Sequence, residues 1–176
     1  TTAPQPTEAP PTPAELKPLT VIAQGFGQDD RELGFAFIIE NSNPGHAVEG
    51  SQYQVAAYDA TGAVLETESG YIDLVLPGEK LGIGGTIFLS EGASVDKIEV
   101  QLSQGDAEPT DLSTTFTVDK VTYSANDFFA KTRGIITNPY DRDITQLKIS
   151  AVAYNDAGEI IGGGFSGLMV AYHLEQ

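Results

Sequence analysis

From residue 19 onward, apolar side chains recur at every second position in short runs, and the runs stop at clusters of Gly, Pro, Asn and Asp. A period of two puts alternate residues on one face of an extended chain. The pattern therefore predicts strands over 19–25, 33–40, 51–58, 63–67, 71–76, 81–89 and 95–102. The alternation is cleanest in 51–58, where Tyr53, Val55 and Ala57 share one face and Gln52 and Gln54 the other. Residues 33–40 are apolar at most positions, through Phe35, Phe37 and Ile39, as suits a strand central in its sheet. Asn41-Ser42-Asn43-Pro44-Gly45 and Pro77-Gly78 supply turn chemistry. Four more runs follow at 116–123, 128–137, 145–154 and 165–170. No window sustains the i, i+3, i+4 spacing of a helix. Short strands with turn signals every ~8–12 residues predict an all-β chain, a sandwich rather than a barrel.

One hairpin is written twice. Tyr58-Asp59-Ala60-Thr61-Gly62-Ala63-Val64-Leu65 returns 96 positions later as Tyr154-Asn155-Asp156-Ala157-Gly158-Glu159-Ile160-Ile161. Ile149, Ala151 and Ala153 occupy the phase of Tyr53, Val55 and Ala57, and a one-residue slip would have reversed every side chain. Repetition at that distance predicts two copies of one small domain, 19–104 and 116–176, joined by a linker at 105–115. Residues 1–18 hold six of the ten prolines, and with their threonines predict an extended tether or a plain flexible tail. Thr2, Thr7 and Thr12 lie where O-linked sugar could attach, on composition alone.

Val55-Ala56-Ala57-Tyr58-Asp59, with Asn41 before it and a glycine turn after, resembles the FxLYD domain family; Ala151-Val152-Ala153-Tyr154-Asn155, with Asn138 and Gly158, resembles it again. The chain departs from that pattern in Val55 or Ala151 for Phe, in Ala for Leu, and in Asn155 for Asp. The resemblance implies small immunoglobulin-like sandwiches on exported proteins and lipoproteins of bacteria and archaea. It implies no catalytic residues. The expected location is extracellular or at the cell surface, and a lipid anchor on a longer precursor is compatible with the absence of Met and of a signal segment at Thr1.

Composition narrows the partners. The net charge of −16 argues against nucleic acid and anionic lipid, and no stretch approaches the ~18 apolar residues of a membrane-spanning helix. The charge is uneven: residues 19–104 hold 13 acids and 3 bases, residues 116–176 hold 7 and 5. An electrostatic partner would be cationic and would meet the first copy; the plainer reading is a solubilising acidic surface. The chain has no cysteine, which excludes disulfides and thiolate metal sites.

Candidate chemistry is sparse. His46 and His173 share no ligand spacing, and Asp141-Arg142-Asp143 reads as a turn. Asp29, Asp30 and Glu32 are the metal candidates to consider, for Ca²⁺, although the run lacks the Asp-x-Asp-x-Asp-Gly pattern. Gly82, Gly84, Gly85 and Gly162-Gly163-Gly164 precede no helix and carry no phosphate-loop Lys, so they mark bulges or close sheet contact. Tyr53, Tyr71, Phe128 and Phe129 are expected in the core. Tyr58 and Tyr154 have an outward phase and are the matched contact candidates. No enzyme and no cofactor is expected.

The second copy stops early. After 165–170, the counterpart of 71–76, nothing corresponds to the last two strands of the first copy. Three readings stand open: a truncated chain, a smaller closed sandwich, or a strand supplied by another molecule, with residues 14–25 the donor. The third makes Phe165, Leu168 and Val170 interaction candidates and the open edge of domain 2 a site of self-association. The expected role is thus structural or adhesive, through protein contacts. The alternatives are a subunit of a filament or sheath built by strand donation, or an acidic ligand- or Ca²⁺-binding module.

Overall fold

The computed structural model describes residues 16–112, 116–125, 130–141 and 143–171. Most of the tether, Phe128, Phe129, Arg142 and His173 lie outside the described residues. The described chain is all-β, with eleven strands paired antiparallel and no helix. In order they are β1 (Thr20–Asp29), β2 (Glu32–Glu40), β3 (His46–Tyr58), β4 (Val64–Val75), β5 (Lys80–Phe88), β6 (Lys97–Ser103), β7 (Asp106–Pro109), β8 (Thr117–Ala125), β9 (Ala130–Thr137), β10 (Ile144–Tyr154) and β11 (Ile160–Ala171).

The first copy folds as two sheets around one core. One has the order β1-β2-β5; the other has β4-β3-β6, with β7 pairing the start of β3. Leu33, Phe35, Phe37 and Ile39 of β2 face Tyr53, Val55 and Ala57 of β3 across the core. Each large side chain so buried contributes about 1.5–3 kcal/mol. Phe37 meets the Tyr53 ring edge-on at 5.2 Å between centroids. Two glycines make room for these rings: Phe35 lies over its cross-strand partner Gly85, and Tyr53 over its partner Gly70. The other face of β3, β4 and β6 is polar, with the pairs Gln54–Ser69 and Gln54–Gln101.

Asn41 closes the end of this sandwich. It is fully buried, and its Nδ2 donates to the carbonyls of His46 (2.9 Å), Val75 (3.0 Å) and Leu76 (3.2 Å). Its Oδ1 accepts from the backbone N and Nδ2 of Asn43, both at 3.0 Å. One side chain thereby joins the end of β2, the start of β3 and the end of β4.

Some expectations are corrected. Tyr71 is 66% exposed, and Ile72, opposite buried Ser51, fills the core instead. Residues 63–67 and 71–76 belong to one continuous strand apart from their ends. The segment 105–115 contributes β7, so it is not wholly a linker. Residues 20–25 of the supposed donor segment are already paired within their own sheet.

In the second copy β8–β9 and β10–β11 are separate two-stranded sheets, matching β1–β2 and β3–β4 in order. The β10–β11 hairpin lies on the outer face of β1-β2-β5, making a third layer.

Candidate interaction surfaces

The repeated hairpin has the same chemistry in both copies. Asp59 Oδ1 accepts from Thr61 N (2.8 Å), Thr61 Oγ1 (2.7 Å) and Ala63 N (2.9 Å). Asn155 Oδ1 accepts from Ala157 N (3.0 Å) and Glu159 N (2.9 Å). Gly62 and Gly158 complete the turns at φ 84° and 79°, where a side chain would strain the backbone. The Thr61 hydroxyl, followed by the backbone N–H groups, holds the Asp59 carboxyl below the usual carboxylate range. Since only the acceptor oxygen is needed, Asp and Asn serve alike.

The strands around the two matched tyrosines differ. Tyr58 pairs with Lys97 of β6, whose Nζ lies 4.7 Å from the ring centroid and 2.6 Å from Glu99 Oε1. Glu99 beside the Tyr58 hydroxyl pushes the tyrosine's pKa up, and Lys97, followed by Tyr58, pushes that of Glu99 down. Tyr58 is therefore engaged on its own surface. Tyr154 is 53% exposed on a strand that, among the described residues, pairs only with β11. Phe165, Leu168 and Val170 lie on β11; Phe165 is exposed, with Lys148 Nζ 5.5 Å from its ring centroid.

The closest approach between the copies is made by glycine. Along the outer face of β1-β2-β5, the paired positions are Gly27 with Gly34, Gly25 with Ala36, Ala36 with Gly84, and Ile38 with Gly82. This nearly side-chain-free shelf receives Gly162, Gly163 and Gly164 of β11 and Val152 of β10. A methyl group at Gly84 would stand 2.5 Å from Gly164 N and 2.6 Å from Ala151 O; one at Gly163 would stand 2.7 Å from Phe35 O. The layers thus meet backbone to backbone, closer than the ~10 Å of sheets separated by side chains. Of the two expectations for Gly82, Gly84 and Gly162-Gly163-Gly164, bulges or close sheet contact, the second describes this seam; Gly25, Gly27 and Gly34 are not singled out there, and Gly25-x-Gly27 with Gly82-x-Gly84, at strand period, is the missed signal.

Among the described residues, nothing comparable covers the β8–β9 hairpin. Val118, Val121, Tyr123 and Ile135 are each at least half exposed. An isolated two-stranded hairpin is marginal in water, so this apolar surface is a contact candidate.

Asp29, Asp30 and Glu32 lie exposed around the β1–β2 turn, where Asp30 takes a positive φ of 49°. Among the described residues, no three His, Asp or Glu side chains converge as a metal site. A shallow depression of about 380 Å³ opens between the Asp59–Thr61 turn and the 92–96 loop. No described helix is long and apolar enough to cross a membrane. Compared with family models, curated proteins and solved structures, the chain matches none.

Proposed function

We propose that this is an exported surface protein, built from two copies of an immunoglobulin-like unit, with a non-enzymatic structural or adhesive role through protein–protein contacts. The observation that carries the reading is the exposure of apolar side chains on strands with unpaired edges, concentrated on β8–β9. Polar groups with well-defined partners support it: Asn41 and Asp59 hold loops and turns, and Lys97, Glu99 and Tyr58 engage one another. Assembly as a filament or sheath subunit is the second reading, favoured by the edges of β9 and β4 that no described residue pairs.

Protease treatment of intact source cells tests the location. Release or cleavage of the protein while cytosolic markers stay intact is the expected result. Recovery of the whole protein in the cytosolic fraction would overturn it. In the same cells, loss of the gene should alter adhesion or envelope integrity.

A further inference from the structure

We propose that β9 of one molecule pairs antiparallel with β4 of a second copy, joining chains head to tail. This rests on the protein-contact reading above and names the partner as the protein itself.

Both strands present an open edge. Among the described residues, β4 flanks the β4-β3-β6 sheet with one side unpaired, and β9 pairs only with β8. Their charges are opposite in a chain of net charge −16. β4 carries Glu66, Glu68 and Asp73 and no base, all three exposed. Strands β8 and β9 carry exposed Lys120, Lys131 and Arg133 against one acid, Asp119, with Asp127 in the segment that joins them. No ion pair joins Lys131 or Arg133 to another described residue.

The spacing also matches. Lys131 and Arg133 are two residues apart on regular β9, so they share a face, as do Glu66 and Glu68 on β4. Each pair spans about 7 Å along its strand. Antiparallel pairing sets Arg133 opposite Glu66 and Lys131 opposite Glu68 in a single register. Leu65, the extra residue where β4 bulges against Ala57 and Tyr58, marks the end of that register.

The duplication supplies a template for the orientation. β9 matches β2, each strand ending at an Asn that accepts a backbone N–H two residues on. The edge of β2 that corresponds to the open edge of β9 is filled by an antiparallel strand, β5.

Charge also selects against the symmetric alternatives. Two β4 edges would set carboxylates against carboxylates, and two β9 edges would set cations against cations. What remains is a heterologous contact, which leaves a free β9 at one end and a free β4 at the other. Such contacts propagate.

Sedimentation of the full chain over a concentration series, at low and high salt, tests the proposal. Oligomers beyond the dimer that dissociate as salt screens the pairs are expected. E66K/E68K and K131E/R133E should each weaken self-association about tenfold or more. The quadruple reversal, which restores opposite charges, should recover it. Far-UV circular dichroism and melting establish that each variant folds. A chain monomeric at every concentration, a closed dimer indifferent to the reversals, or a folded quadruple variant that does not recover would overturn the proposal. A chain that stays monomeric yet is found on the cell surface overturns self-assembly alone; a cytosolic chain that assembles overturns the surface reading alone.

Discussion

At Asp59 the carboxylate accepts two backbone N–H bonds and one from a hydroxyl, and Asn155 shows what that position needs when the charge is absent. The Asp59 carboxyl titrates below the usual range in the fold, so the stability tied to its ionisation is present above that range and lost as pH falls through the folded pKa. Asp59→Asn should leave the melting temperature near neutral pH almost unchanged and make its fall in acid shallower. Asp59→Ala should lower it at both pH values, as thermal melts across a pH series would show. Asn41 differs because it is fully buried. Removing its amide leaves the carbonyls of His46, Val75 and Leu76 without their donor. Unsatisfied buried polar groups cost about 1–3 kcal/mol each, and some relaxation is expected, so Asn41→Ala should lose about 3 kcal/mol in urea denaturation. Both residues stood out in the sequence, Asp59 by repetition and Asn41 by its turn cluster. Neither the burial of Asn41 nor its reach to Val75, 34 residues on, could be read there, because these depend on where β4 returns.

On β5 two neighbouring glycines serve opposite faces. Gly85 lies under the Phe35 ring inside the sandwich, and Gly84 lies against the backbone of β10 and β11 outside it. Gly85→Ala should therefore destabilise the first copy itself, by about 1–3 kcal/mol of overpacking. Gly84→Ala should leave that core intact and lift the hairpin. Hydrogen exchange separates the two: faster exchange confined to β10 and β11 in G84A, faster exchange through β2 and β5 in G85A. Gly34→Ala, whose added methyl would meet Gly163 O at 3.1 Å, should loosen the hairpin less than G84A. The strands of the first copy were legible because one face of each is apolar and the other polar, as in β3. Tyr71 was misplaced because Tyr71-Ile72 offers an apolar residue in either phase, and cross-strand pairing with Ser51 decides between them. The docking of β10–β11 was illegible for a different reason. A sheet face made of glycine has no hydrophobic pattern, so its affinity for another backbone leaves no periodic signal beyond the glycines themselves.

Across the whole molecule the core is unevenly shared, since every buried hydrophobic residue described lies between Leu19 and Ile98. The second copy contributes a hairpin seated on a glycine shelf and a second hairpin with exposed apolar side chains. Local opening should follow that order. Amides of β2 and β3 should exchange only on global unfolding, those of β10 and β11 at an intermediate rate, and those of β8 and β9 fastest in dilute monomer. Cutting the chain after residue 112 tests how far the first copy depends on the third layer. The cut removes no strand from either sheet of the sandwich, but it uncovers Ile38, Ala36 and the shelf glycines. For a domain of this size about 1 kcal/mol corresponds to ~4–8 °C in melting temperature. The fragment 1–112 should unfold cooperatively within roughly that margin of the full chain. A fall several times larger would mean that the β10–β11 hairpin is part of the structural unit of the first copy, and the two copies would then count as one folding domain.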